Sequence, residues 1–261
     1  MKPEELLRAG DPGAALAALQ DQVRSNPSDA RLRVFLFQLM TVNGQWQRAA
    51  KQLSVLEDMD ESTLAMVRTY EDVINCERHR EAVFSGRVRP LVMGEPEPWV
   101  AQLIEAQHAL ATGDLERFET LNGEALEAAP ALSGRINDEP FEWLADADRR
   151  FGPVFEMIFN QHYYWVPSGR IKSIKTEAPE DLRDLVWLPA EVTWSNGGQI
   201  MVMMPARYPN IGAAEGQQLL GQHTNWVVHS EGFEEGVGQR MFATDSADYP
   251  MLQVRSIHFD G

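Results

Sequence analysis

The chain has 261 residues, 44% of them hydrophobic and 24% charged, enough apolar material for one large domain or two ordinary ones. Its formal charge of −16, shared evenly by the two halves, argues against polyanionic partners, because nucleic-acid affinity comes mostly from neutralised phosphates and an anionic membrane surface repels the same surplus. The single cysteine, Cys76, makes neither an intramolecular disulfide nor a cysteine-based zinc site.

The N-terminal stretch "MKPEELLRAGD" has no apolar core of signal-peptide length, and no apolar run approaches the roughly 20 residues of a membrane span. A cytoplasmic chain is expected. The first half then reads as short helices. "GAALAALQDQVRSNP" puts Leu16, Leu19 and Val23 on one face and stops at Asn26-Pro27. "SDARLRVFLFQLMTVNG" starts at a Ser28 or Asp29 cap and stops at Asn43-Gly44. In "QWQRAAKQLSVLEDMD", Ala49, Leu53 and Leu56 recur at helical spacing. "ESTLAMVRTYEDVINCERHREAVFSG" predicts a long helix ending at Gly86, with Cys76 as a packed thiol. After a proline-rich break, "GEPEPWVAQLIEAQHALATGD" and "LERFETLNGEALEAAP" predict a further pair. An internal repeat runs through these segments. "AGDPGAALAAL" and "NGQWQRAAKQL" are offset by 34 residues, with Gly10 matching Gly44 and Ala15 matching Ala49. "TGDLERFETL" supplies a third copy, its Gly113 lying 69 residues beyond Gly44. The period is that of tetratricopeptide-type helical hairpins, in which the glycine ends one helix and the small residue lets the paired helices approach.

The second half changes texture. Pro140 suits a first helical turn, so "FEWLADADRRF" predicts a helix and "PVFEMIFN" a second. From Tyr163 the pattern turns to strands: "YYWVP", "RIKSIKT", "LRDLVWLP", "EVTWSNGGQIMVMMP", "TNWVVH", "GQRMFATD" and "MLQVRSIHF". Asn196-Gly197 predicts a tight hairpin turn, since both central residues take positive φ cheaply. The fold class is therefore α+β. A tetratricopeptide-like helical domain over residues 1–131 is followed by a domain over 132–261, with two short helices and then a small antiparallel sheet or barrel.

The residues suited to chemistry also have structural explanations. Asp138, Glu139, Glu142, Asp146 and Asp148 crowd one short stretch. On a helix, Asp138, Glu142 and Asp146 stand four apart and share a face, an arrangement that suits a divalent cation or an acid/base pair. A helix N-terminus also favours negative charge, and Asp146 can pair with Arg149 or Arg150, which makes solvated acids the better explanation. None of the six histidines forms the i, i+4 pair of a metalloprotease helix. His223 and His229 flank "TNWVV" but lack a third ligand. There is no G-x-S-x-G and no phosphate-binding G-x-x-x-x-G-K-S/T. Gly236 and Gly238 in "EGVGQR" read as turn residues. Tyr163–Trp165 beside Arg170, Lys172 and Lys175 would stack a nucleotide base only in a less acidic chain. Seven tryptophans, at 46, 99, 143, 165, 187, 194 and 226, are each expected in the core, and as a group near a domain junction they suit a protein-binding groove.

Four long segments resemble the ImpE/SciE/TagJ family of type VI secretion accessory proteins: "REAVFSGRVRPLVMGEPEPWVAQL", "GRINDEPFEWLADADRRFGPVFEMIFNQHYYWVP", "DLRDLVWLPAEVTWSNGGQIMVMMPARYP" and "GQRMFATDSADYPMLQVRSIHF". The resemblance spans Arg80 to Phe259. It implies a non-enzymatic cytoplasmic adaptor with no cofactor. The implied partner is the N-terminal helix of the small contractile-sheath subunit and, through it, the hexameric ATPase that recycles contracted sheath. The residues themselves suggest where such a helix would sit. Phe141, Trp143, Phe155, Phe159, Tyr163 and Trp165 are expected to line an apolar groove, with Asp146, Asp148 and Glu156 as an acidic rim. Two other functions compete with this one: a generic helical-repeat scaffold, and a metal- or carboxylate-dependent hydrolase using Asp138, Glu142 and Asp146.

Overall fold

The computed structural model describes residues 1–260. The first half is helical: α1 (Pro3–Arg8), α2 (Pro12–Ser25), α3 (Ala30–Val42), α4 (Trp46–Met59), α5 (Leu64–Phe84), α6 (Pro98–Ala111) and α7 (Leu115–Ala128). The repeat glycines close three helices in one way. Gly10, Gly44 and Gly113 take φ of 79°, 66° and 85°. The amide beyond each reaches back to the same relative carbonyl: Asp11 N to Leu6 O at 3.0 Å, Gln45 N to Met40 O at 2.8 Å and Asp114 N to Ala109 O at 2.9 Å. This is the Schellman ending, which needs a left-handed residue at the turn. Asp11, Asp29 and Asp114 cap the helices that follow them. The hairpins are thus α1–α2, α3–α4 and α6–α7. The long α5 stands between the second and third, which separates Gly44 from Gly113 by 69 residues where one repeat period is 34.

A two-residue strand, β1 (Leu91–Val92), crosses between α5 and α6. The remaining strands fill the second half: β2 (Gly134–Ile136), β3 (Glu139–Phe141), β4 (Leu144–Asp146), β5 (Val154–Phe159), β6 (His162–Pro167), β7 (Ile171–Thr176), β8 (Trp187–Trp194), β9 (Gln199–Pro205), β10 (Thr224–Ser230), β11 (Phe233–Gly238), β12 (Met241–Thr244), β13 (Asp248–Pro250) and β14 (Ser256–Phe259). A nine-stranded sheet has the order β1-β6-β5-β9-β8-β7-β14-β2-β3. It is antiparallel except where β1 joins β6. A three-stranded sheet β13-β12-β4 and the hairpin β10–β11 complete the fold.

Three expectations are corrected here. No helix covers 141–151 or 153–160, which form β3, β4 and β5. The reason lies in β5, which is buried on both faces. Phe155 and Met157 enter the core of the sheet, while Val154 and Ile158 enter the core shared with the helices. Such a strand reads as an unbroken apolar run, without alternation. The chain folds back there through Asn137-Asp138 and Asn160-Gln161, whose positive φ (48° and 70°; 48° and 65°) gives the twist a two-residue hairpin requires. Asn196-Gly197 does turn β8 into β9, but only Gly197 is left-handed (φ 86°). Gly197 N bonds to Trp194 O and Trp194 N to Gly198 O, the form with a glycine bulge. Finally, Gly236 and Gly238 belong to strand β11, where a side chain at Gly236 would strike the Tyr208 ring.

The helices and the sheet share one core. Leu19, Phe37, Leu53 and Val67 join Tyr163, Trp165 and Trp187 in a single apolar cluster. Trp187 packs at a tilt against Trp46 and Tyr70, at centroid distances of 5.5 and 5.9 Å. Cys76 is a packed thiol on α5, and burial pushes its pKa up to about 12.

Candidate functional site

The seam between α5 and the sheet is an ion network. Helix α5 carries a buried stripe of Val73, Cys76, Glu77, Arg80 and Val83, so two charged residues stand at core positions. Arg80 grips Glu156 of β5 with two bonds, Nε to Oε1 at 2.7 Å and Nη2 to Oε2 at 2.8 Å. Arg240 donates to the same carboxylate at 2.5 Å, and the Tyr163 hydroxyl donates to Oε1. Arg240 also bonds Asp146 Oδ2 through Nε at 2.9 Å, while Tyr208 OH and the Asp148 amide donate to Oδ1 at 2.9 and 2.8 Å. Asp148 holds Arg150, which reaches Glu235 of β11 at 2.9 Å. Glu77 accepts the Trp187 indole N–H at 2.9 Å. Arg207 donates to the Thr41 and Val42 carbonyls that end α3, a favourable place for a cation. Four buried guanidiniums, those of Arg80, Arg150, Arg207 and Arg240, therefore accompany four buried carboxylates, those of Glu77, Asp146, Asp148 and Glu156, a balance that keeps so much charge tolerable inside.

The titration of these acids is divided. Although burial alone would raise it, Glu156 is held below the usual carboxylate range by Arg80 and Arg240. Burial pushes Asp146 up to about 6, against the attraction of Arg240 and aided by the charge of Asp148. A raised acid binds its proton in the folded chain before it does so in the unfolded one. Asp146 therefore favours folding at acid pH, and that contribution is lost as pH rises through about 6. Asp146→Asn is expected to remove this component. In urea melts at pH 5 and pH 7, the stability difference between parent and variant should shift by about 1 kcal/mol in favour of the parent at pH 5, since about one pH unit of the window lies above pH 5. A pH-independent difference would show that Asp146 is ionised throughout that range.

The residues singled out from the sequence fall into two groups. Phe141, Phe155, Tyr163 and Trp165 are buried, and Phe159 is half-buried, stacked on Tyr164. Asp146, Asp148 and Glu156 are buried in the network and are not surface acids. Asp146 pairs with Arg240 rather than with Arg149 or Arg150. Asp138 lies in the β2–β3 turn, and Glu142 is exposed after β3. The shared helical face that would have joined them to Asp146 does not form. Trp143 differs from the other aromatics, being 40% exposed. It lines a groove of about 270 Å³ beside the seam, walled by Leu126 and Ala129 at the end of α7, by Leu132, and by Ala145, Ala147 and Pro153 around β4. The buried Asp146 reaches its floor. Exposed Glu127 and Glu142 adjoin wall residues in the chain. The network partners Arg80, Arg240 and Tyr208, and the aliphatic walls, were missed from sequence. The one signal for them was a charged pair, Glu77 and Arg80, on the apolar stripe of a long helix.

These features define a class: an α+β protein in which a helical-repeat half is joined to a β-rich half across a buried ionic seam bordered by an apolar groove. Comparison with known proteins agrees. Residues 6–68 match a tetratricopeptide repeat model and residues 138–258 match the model of the ImpE protein family. The chain is 48% identical over its full length, and over 92% of the relative's, to the type VI secretion system accessory component TagJ of Pseudomonas aeruginosa. The crystal structure of protein VPA1032 from Vibrio parahaemolyticus has the same fold, with a TM-score of 0.92 at 22% identity over 99% of this chain and 97% of that one. The chain belongs to the ImpE/TagJ family. No helix among the described residues is long and apolar enough to cross a membrane.

Proposed function

We propose that this chain is a cytoplasmic, non-enzymatic adaptor of a type VI secretion system. It binds the N-terminal helix of the small contractile-sheath subunit and so connects the sheath to the hexameric ATPase that recycles it. Residues 1–131 act as the helical-repeat domain and 132–261 as the second domain, with the partner helix lying along their junction. Family membership and the name of the P. aeruginosa relative support the secretion role. The observation that carries the binding site is Trp143, an exposed tryptophan in a groove lined mostly by aliphatic residues, with Asp146 and Arg149 as its charged members. Tryptophan buries a large area at low entropic cost, which makes it a frequent anchor. A groove of about 270 Å³ accepts two or three apolar side chains, the number an amphipathic helix offers at i, i+3 or i+4, and i+7. Exposed Glu127 and Glu142, next in the chain to the lining residues Leu126 and Trp143, favour Lys or Arg on the arriving helix, and Arg149 in the lining favours an acid.

The test is a titration of the full chain against a labelled peptide of the sheath subunit's N-terminal helix, read by fluorescence anisotropy. Saturable micromolar binding that a helix-breaking proline in the peptide abolishes is expected. No binding by the folded chain at high concentration would remove the adaptor reading. The residues of the hydrolase alternative are not brought to one helical face: Asp138 lies in the β2–β3 turn, Glu142 is exposed and Asp146 is buried against Arg240.

A further inference from the structure

A second surface lies on the hairpin β10–β11, whose turn meets the lining of the Trp143 groove at Arg149, a guanidinium held by the Gly232 carbonyl and Asn122. β11 is anchored. Phe233 packs on Phe118 of α7 with centroids 4.5 Å apart, Glu235 holds Arg150 at 2.9 Å, and the Gly236 amide donates to Asp148 at 2.8 Å. β10 is the outer strand. Among the described residues, Asn225–His229 make no main-chain bonds except those to β11. Three consecutive apolar side chains on β10 face solvent: Trp226 at 37%, Val227 at 41% and Val228 at 65% exposure.

An exposed, unpaired strand is a template for another strand, and proteins ordinarily blunt such edges with charge, proline or shortness. The other edges here are blunted. β1 has two residues and follows Pro90, β3 carries Glu139 and Pro140, and β13 carries Asp248 and Pro250. β4 has three residues and ends in the paired Asp146. The free side of β11 meets Asp148 and the Tyr208 amide. β10 differs in being long as well as uncharged: its seven residues, "TNWVVHS", carry no Lys, Arg, Asp, Glu or Pro, whereas the uncharged edge β1 has two.

We propose that β10 is a docking edge for an extended segment of a partner protein, one that presents apolar side chains to Trp226 and Val228 and carries Lys or Arg beside Glu231 and Glu234. Main-chain bonds along the edge supply affinity, and alternate side chains supply choice. The charge decides between occupants. Glu231 and Glu234 are exposed at the hairpin end, and Glu119 is bonded there by Ser230. A second copy of the chain brings the same acids and another −16, whereas a basic strand meets them with opposite sign. The inference does not rest on the sheath reading.

Amide hydrogen–deuterium exchange on the intact chain tests it. The probes are two soluble peptides of alternating valine and threonine, one ending in two lysines and the other in two glutamates. The lysine peptide is expected to slow exchange across Thr224–Ser230 by roughly tenfold or more, and the glutamate peptide to slow it much less. Val228→Lys places a charge on an exposed edge position. It should abolish the protection while leaving the melting temperature unchanged. Equal protection by both peptides, no protection by the lysine peptide, or protection that appears on concentrating the chain alone with formation of dimers would each overturn the proposal.

Discussion

Glu156→Gln is expected to destabilise the chain by about 3–5 kcal/mol in urea denaturation at pH 7, the largest effect of any isosteric change in the seam. The amide has nearly the volume of the carboxylate, so packing is retained and the lost quantity is charge. Arg80 and Arg240 both bind this carboxylate, and Glu156 is 0% exposed. With a neutral residue between them, two guanidiniums remain in the interior with one fewer counter-charge. A buried ion pair adds little net stability compared with a well-packed apolar pair, yet removing one partner leaves an uncompensated charge, and that is costly. The double variant Glu156→Gln with Arg80→Met should therefore recover part of the loss, because one of the stranded cations is gone. A loss below about 1 kcal/mol in the single variant would mean that water reaches the seam. The same residue sets an acid limit. Its pKa is held below the usual range by Arg80 and Arg240, so its contribution is fully present at neutral pH and is lost as pH falls through the folded value, below the ordinary carboxylate range. Asp146 works in the opposite sense near pH 6, and the two variants separate the effects.

The sequence revealed the helical half far better than the β half, for physical reasons. The helices advertise themselves through a 3.6-residue stripe, through capping Asp11, Asp29 and Asp114, and through three glycines that must adopt positive φ. Those signals are local. β5 has none of the alternation that marks a half-exposed strand, because it is covered on both faces. The hairpin turns on either side of the missed strands use Asn137-Asp138 and Asn160-Gln161, without the glycine that normally signals such a turn. Of the acids of 138–148, Asp138, Glu139 and Glu142 are exposed, as solvated acids should be, while Asp146 and Asp148 are buried. The partners of Asp146 and Glu156 come from distant parts of the chain: Arg240 lies 94 positions from Asp146, and Arg80 lies 76 positions from Glu156. Spacing along the chain detects neighbours on a helix or strand and is blind to that pairing. Of the groove, Trp143 was legible as an aromatic near a junction. Its aliphatic walls, Leu126, Leu132 and Pro153, were not, since each is an ordinary residue made special only by the turn of the chain between α7 and β4.

Trp143→Ala should weaken binding of the sheath-helix peptide by about 2 kcal/mol or more, a fall of roughly 30-fold in affinity, with no comparable loss of stability. The separation of the two effects follows from where the side chain lies. Trp143 belongs to none of the buried apolar clusters and is 40% exposed, so its truncation leaves no closed cavity. Bound by a helix, it would lose that exposure against aliphatic anchors, and the energy of covering an indole is of this size. Phe159→Ala supplies the contrast. Phe159 stacks on Tyr164 with centroids 4.4 Å apart and lies near Trp194, outside the groove walls. It is expected to lower the melting temperature while leaving peptide affinity unchanged. If Trp143→Ala binds the peptide as tightly as the parent chain, the groove is not the helix site, and the exposed indole must be explained by another partner. If Phe159→Ala loses affinity while Trp143→Ala does not, the site lies instead on the face of the sheet bearing Tyr164 and Trp194.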